Sequence, residues 1–372
     1  MKNYGPSPFC WITSSCLNWE VLNLEVGSGL PNILGAEMAE IADRLVSLGE
    51  PRYRAEQILD WIYKKSVYSF KLMSNLPKGL RQTLTDHFHI GLPQVVKVQT
   101  SRDGTEKYLL RLTDGEHIEA VVIREGTRLT ACLSSQVGCA VGCSFCATGL
   151  SGFSRHLSAA EIVGQLLVLR EQQAQELTNV VMMGMGEPLA NYANVIKAIR
   201  IMNQPAGLAM GARRFTISTA GVVPGIKRLM NENLQVNLAV SLHAPDDRLR
   251  DQLVPLNKTY PIASLIAACR EYAEQTGRRV TFEYVLLQDV NDSSDHAHAL
   301  GRLLAGFLCH VNLIPANPVE GLPFRQSVPE VTEEFARIIA SHGVHVSIRK
   351  EKGADIDAAC GQLRLKDEVR AF

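Results

Sequence analysis

From residue 180 to 348 short apolar runs alternate with amphipathic helical stretches, and that alternation leaves few folds open to the chain. Strands are expected near 180–183, 215–219, 236–242, 280–287, 310–314 and 344–348, with helical runs beginning near Ala159, Asn194, Pro224, Ile262, Ser294 and Thr332. A helix between successive strands returns the chain to the edge it left, so the strands lie parallel. No Gly-x-Gly-x-x-Gly follows the first strand, which favours an open or partial (β/α)6 barrel over a doubly wound sheet. In such a barrel the functional groups collect at the C-terminal ends of the strands.

The segments before the barrel read differently. Residues 1–36, rich in Ser, Asn, Gly and Pro, show no sustained period and are expected to form a poorly structured extension, with Met38 a candidate start. Residues 37–94 form a small helical accessory domain, because Ile41, Leu45, Leu48, Ile58, Trp61, Ile62, Leu76, Leu80 and Leu84 recur at helical intervals. Its Arg52, Arg54, Lys64, Lys65, Lys71, Lys78 and Arg81 make a candidate basic face, or else a solvated helix surface. Residues 95–133 alternate as strands, with turn signals at Asp103-Gly104 and Asp114-Gly115, and lead into a barrel over 134–365. The 38 Lys and Arg balance 38 Asp and Glu, so any nucleic-acid contact must be local. No apolar run reaches the length of a membrane helix, and the chain is expected in the cytoplasm without membrane contact.

Three of the nine cysteines crowd together as Cys139-x3-Cys143-x2-Cys146, directly after an expected strand. A structural zinc site wants four ligands, and no second Cys-x2-Cys exists. Three thiolates suit a 4Fe-4S cluster with one iron left open. The spacing, with Phe145 before the last cysteine, is the signature of radical S-adenosylmethionine (SAM) enzymes. At the next strand exit stands Met183-Gly184-Met185-Gly186-Glu187-Pro188, followed at later exits by Ser218, by Ser241-Leu242-His243 and by Asn317. Taken singly these are turn, cap or core residues; taken together they ring one barrel face. Near the C-terminus Cys360 lies among small residues, as a packed thiol also would. Cys269 and Cys309 lie in or beside helical runs and are expected to pack, and Cys10 and Cys16 fall in the extension.

From about Arg52 to Leu363 these motifs closely resemble the radical SAM adenine-C2 RNA methyltransferases of the RlmN type. The resemblance implies that Cys139, Cys143 and Cys146 hold the cluster and that Gly186, Glu187, Ser218, Ser241, Leu242, His243 and Asn317 form the SAM site. It makes Cys360 the methyl-carrying cysteine, Cys132 the resolving cysteine and Glu119 the proton acceptor; without it, Glu119 reads as an exposed strand carboxylate.

Adenine C2 is electron-poor and cannot attack a sulfonium methyl directly. The family's route uses two SAM molecules per turnover, one to methylate Cys360 and one cleaved to a radical that activates the S-methyl group. A transient protein–RNA adduct follows, and its release leaves a Cys132–Cys360 disulfide for a reductant to reopen. The implied substrates are 23S rRNA and the tRNA adenine 3' of the anticodon, with a flavodoxin or ferredoxin as electron donor to a monomeric enzyme. Three alternatives stay open: the Cfr type, which methylates adenine C8 in 23S rRNA and confers antibiotic resistance; a radical SAM enzyme acting on a small molecule; and a non-catalytic iron–sulfur carrier or RNA adaptor. Pro188 and Ala239-Val-Ser-Leu-His-Ala-Pro245 favour the C2 type.

Overall fold

The computed structural model describes residues 29–363; residues 1–28, with Cys10 and Cys16, lie outside the described residues. Three helical segments come first: α1 (Met38–Ser47), α2 (Arg54–Leu59), continued by a wider turn over Asp60–Lys64, and α3 (Lys78–His87). They form where the apolar spacing puts them, and Ile41, Leu45, Ile58, Ile62, Leu80 and Leu84 are buried between them. An antiparallel meander follows, β1 (Gln94–Thr100), β2 (Glu106–Arg111), β3 (His117–Glu125) and β4 (Arg128–Cys132). The first two of its three hairpin loops turn through a glycine at positive φ, Gly104 and Gly115. In each of these two the preceding aspartate accepts a backbone N–H two residues on, Asp103 from Thr105 and Asp114 from Glu116.

The part of the expected extension that is described departs from the expectation. Asn32 caps a 3₁₀ turn over Ile33–Gly35 and donates its amide to the Gly91 carbonyl, and Ile33 and Leu34 are buried. Two apolar residues without a period give no sequence signal, and tethering by the Asn32 side chain and by backbone pairing with His89 fixes them. Starting the chain at Met38 would remove them from the core.

After β4 the chain makes a short ribbon, β5 (Gln136–Gly138) with β6 (Phe153–His156), around one turn of helix, α4 (Ala147–Leu150). The βα alternation then runs through α5 (Ala159–Glu171), β7 (Asn179–Met182), α6 (Tyr192–Asn203), β8 (Phe215–Thr219), α7 (Val223–Leu229), β9 (Asn237–Ser241), α8 (Asp247–Leu253) and α9 (Ile262–Thr276). It ends with β10 (Val280–Leu286), α10 (Ser294–Leu304), β11 (Cys309–Pro315), α11 (Pro329–Ser341) and β12 (His345–Ile348). The sheet runs β1-β2-β3-β4-β7-β8-β9-β10-β11-β12, parallel from β4 onward, which is the expected open barrel with the meander added at its first edge. The parallel strands are apolar because helices cover them. α5 is buried almost all round: besides the sheet it meets the N-terminal module, where Ala160 abuts Gly35 and Arg170 donates to the Tyr63 carbonyl. Cys269 in α9 and Cys309 in β11 are packed thiols.

Because Leu34 is fully buried, Leu34→Ala in the full chain should cost about 2–5 kcal/mol, read from the denaturant midpoint. A cost below about 0.5 kcal/mol would place Leu34 outside the core.

Candidate active site

The C-terminal ends of β4 and β7 interlock. Gly184 lies so close to β4 that a Cβ there would come 2.7 Å from the Leu133 carbonyl and from Ser134 Oγ. Gly186, at φ +105, would drive a Cβ to 2.6 Å from Gln136. Between them Met185 donates its N–H to Ser134 Oγ (2.8 Å), its carbonyl accepts the Ser135 N–H (2.8 Å), and Glu187 donates its N–H to Gln136 Oε1 (2.8 Å). Glycine is required at both positions by contact, and at Gly186 also by φ.

From this interlock a series of polar links crosses the other strand exits. The Glu187 carboxylate, 3% exposed, accepts the Leu189 N–H (2.9 Å) and the Ala220 N–H after β8 (2.6 Å). Burial pushes its pKa up to about 7 against the pull of these bonds. Arg250 of α8 joins Ala220 to the exit of β9. His243, in the left-handed region at φ 59, accepts the Val285 N–H of β10 on Nδ1 (3.0 Å) and meets the Phe145 ring edge-on. Burial, aided by Arg250, lowers its pKa to about 3, so the ring is neutral and Nε2 carries its only proton.

Gly186, Glu187, Ser218, Ser241, His243 and Asn317 line one cleft together with Cys139, Cys143 and Cys146. Leu242 departs from the set: its side chain is in the core, its N–H bonds the Glu283 carbonyl and its own carbonyl accepts from Arg250. Cys360 reaches the cleft on a loop pinned from three sides. Asn317 Nδ2 donates to the Cys360 carbonyl (3.1 Å), Ala147 N–H to the Gly361 carbonyl (2.7 Å), and Lys107 Nζ to the Asp357 carbonyl (3.1 Å). Beside the cleft a smaller cavity is lined by Cys132, Met183, Ile314, Asn317, Arg349 and Cys360. Of these, all but Cys132 line the cleft as well, so Cys360 stands where the two spaces meet. Burial and the neighbouring Cys360 push the Cys132 thiol up to about 12.

Glu119 is buried rather than exposed, in an ion pair with Lys107 (3.1 Å). The register Lys107↔Val121↔Cys132, with Glu119 two residues before Val121, puts Glu119 on the sheet face that carries Cys132. Sequence reasoning missed Lys107, Glu283, Arg349 and Arg250. Glu283 alone left a signal, as a carboxylate inside the apolar run of β10, where it accepts Asn312 Nδ2.

The residues fit an iron–sulfur cluster and SAM. Among the described residues no three His, Cys, Asp or Glu side chains converge on a point, as one zinc ion requires. A four-iron cluster instead binds each thiolate through a different iron. Burial raises the Cys139 thiol to about 12 and Cys143 further, so these sulfurs become anionic only with a metal's charge beside them. Asn317 Oδ1, buried at the cleft wall, has no protein partner and is available to a ligand.

Comparison with known proteins agrees with this geometry. Residues 133–300 match the family model of the radical SAM superfamily, and residues 31–90 match the ribosomal RNA large subunit methyltransferase N-terminal domain. A protein of Dictyoglomus thermophilum named "Probable dual-specificity RNA methyltransferase RlmN" is 49% identical, over 90% of this chain and 96% of its own. One of the same name from Symbiobacterium thermophilum is 48% identical, over 89% of this chain and 90% of its own. The crystal structure of a radical SAM methyltransferase from Sphaerobacter thermophilus superimposes with a TM-score of 0.87 at 49% identity, covering 90% of this chain and 99% of that one.

Glu187 also makes the protein's stability depend on pH. The folded protein keeps a proton there that the unfolded chain has lost, so this contribution is complete below about pH 4.5 and lost as pH rises through about 7. Without cofactors, the wild type should lose on the order of 3 kcal/mol relative to Glu187→Gln between pH 5 and 8, measured by denaturant unfolding. Parallel profiles would mean that Glu187 ionises at an ordinary pKa.

Proposed function

This chain belongs to the RlmN family of RNA methyltransferases within the radical SAM superfamily, and we propose that it methylates adenine C2 in 23S rRNA and in the tRNA adenine 3' of the anticodon. The observation that carries this is the station of Cys360 at the meeting point of the two cavities. A methyl-carrying thiol must face a methyl donor on one side and a resolving thiol on the other.

Cys139, Cys143 and Cys146 would hold the cluster. Gly186, Glu187, Ser218, Ser241, His243 and Asn317 would hold SAM, with Leu242 supporting its neighbours from the core. When bound, cluster and SAM supply a methyl group and a hydrogen-abstracting radical.

The remaining steps fall to side chains of the chain. Cys360 accepts the methyl as a thiolate, in a cavity that Arg349 lines with it. Once the methylene carbon is joined to adenine and the adduct's unpaired electron has passed back to the electron-transfer centre that supplied it, Glu119, kept beside the Cys360 loop by Lys107, takes the C2 proton. Cys132, giving up its thiol proton as it attacks the Cys360 sulfur, then breaks that sulfur's bond to the methylene carbon. That bond's electron pair stays with carbon, which gains a proton and becomes methyl, while the new disulfide needs a dithiol reductant.

The helical module before β1 is the proposed RNA-backbone holder. Its charge is smaller than its sequence implies, because Arg52 pairs with Asp43 while Lys64 and Lys65 share Asp60. Phosphate contact would therefore fall mainly to Arg54, Lys71, Lys78 and Arg81: Arg54 donates to the neutral Gln57 and Arg81 to the Lys71 carbonyl, and none of the four is in an ion pair seen among the described residues. The enzyme would work as a monomer in the cytoplasm with a flavodoxin or ferredoxin as electron donor. Among the described residues no helix is long and apolar enough to cross a membrane.

Replacing Cys132 tests the assignment. Cys132→Ala should stall with RNA attached through Cys360, seen as a nuclease-sensitive shifted band on a denaturing gel and absent when Cys360 is replaced too. A Cys132→Ala protein that turns over freely without a shifted band would remove the two-cysteine route. Replacing Cys139, Cys143 or Cys146 with Ala should abolish both iron binding and 5'-deoxyadenosine formation, and full turnover by any of the three would take that residue out of the ligand set.

A further inference from the structure

Arg250 is the largest side chain sealed from solvent in the described protein, at 0% exposure, and neither the expected SAM site nor the cysteine chemistry uses it. All four of its bonding partners are neutral. Nη2 donates to the carbonyls of Ala220 (2.6 Å) and Ser241 (3.0 Å), Nε to the Leu242 carbonyl (3.0 Å), and Nη1 to Asn257 Oδ1 (2.9 Å). Asn257 in turn spends its amide on Asp247 and Asp251, so both carboxylates are held one residue away from the guanidinium. Gly221, at φ +111, leaves room where a Cβ would come 3.3 Å from Nη2.

A buried cation without a bonded anion is costly and calls for a compensating charge nearby. Burial lowers the Arg250 pKa only to about 10, so it is charged at neutral pH. Asp247 and Asp251 are the carboxylates within reach of it, and Cys143 would act on it more strongly than either once it is a cluster-bound thiolate. Cys143 is carried against the same helix: the Ser144 N–H donates to the Leu253 carbonyl (3.0 Å), and Cys143 packs on the apolar group that includes Leu253 and Val254. A four-iron cluster on three thiolates is anionic, and accepting an electron makes it more so.

We propose that Arg250 is a positioning residue with two tasks: it ties the exits of β8 and β9 into one wall of the SAM cleft, and its fixed charge is the counterion that eases reduction of the cluster. The proposal rests on the assignment of Cys139, Cys143 and Cys146 as cluster ligands. It adds a buried charge that acts through the cluster and touches no substrate. Removing that charge should make the one-electron reduction harder even where the cluster still binds.

The test is an anaerobic redox titration of the reconstituted full chain, following the reduced cluster by electron paramagnetic resonance alongside iron content. Arg250→Gln should bind iron yet show at least a tenfold lower ratio of reduced to oxidised cluster at a fixed potential, a shift of about 59 mV for one electron. Arg250→Lys, which keeps charge but loses the fork, should stay within about twofold of the wild-type ratio while binding SAM more weakly. If Arg250→Gln does not fold, Arg250→Met takes its place as the charge-free variant: at least a tenfold fall with iron bound supports the counterion, and an unchanged ratio overturns it. Arg250→Gln with full iron and an unchanged ratio also overturns it. A wild-type protein that binds no iron would instead defeat the ligand assignment on which the proposal stands.

Discussion

The interlock between the exits of β4 and β7 is the constraint on which the site depends. Two glycines let the backbone after β7 press against Leu133, Ser134 and Gln136, and that contact sets Glu187 in the same cleft as the cysteine loop. From Glu187 the linkage passes to Ala220, through Arg250 to Ser241 and Leu242, and then from His243 to Val285. From β4 to β10 the strand exits are thereby fixed to their neighbours by polar contacts, and that part of the cleft wall is held before any cofactor arrives. Preorganisation of this kind matters for radical chemistry, in which the reacting atoms must meet in a set geometry.

The open edge of the sheet is equally part of the design. A closed barrel would leave no flank on which the meander could sit, and the meander supplies Lys107, Glu119 and Cys132. The C-terminal loop closes over that flank through Lys107, Ala147 and Asn317, bringing Cys360 from the far end of the chain to a thiol on the first parallel strand. Two cysteines distant in sequence therefore face one cavity.

Much of this was legible in the sequence wherever local periodicity or a spaced motif carried it. The six later parallel strands fall within about two residues of their apolar runs, and α5, α9 and α10 begin at Ala159, Ile262 and Ser294 as expected. The cysteine spacing and the glycines of Gly184-Met-Gly186 were readable because few structures need them. Three things were not. Ile33 and Leu34 carry no period, and contacts distant in sequence, with His89, Gly91 and Tyr63, order them. The burial of Glu119 depends on Lys107 from the neighbouring strand, a pairing that no sequence spacing encodes. Arg250 looks like any helix arginine until the fold surrounds it with three carbonyls and an amide.

The central claim, that this geometry delivers a methyl group to adenine C2 of RNA, is tested most directly by nucleoside mass spectrometry. The substrate is 23S rRNA and tRNA from a strain lacking this methylation, treated with the reconstituted protein, SAM and a one-electron reductant. The account predicts 2-methyladenosine in both RNAs, absent when Cys360 is replaced by Ala. Methylation at C8, or 2-methyladenosine formed undiminished by the Cys360→Ala protein, would contradict it.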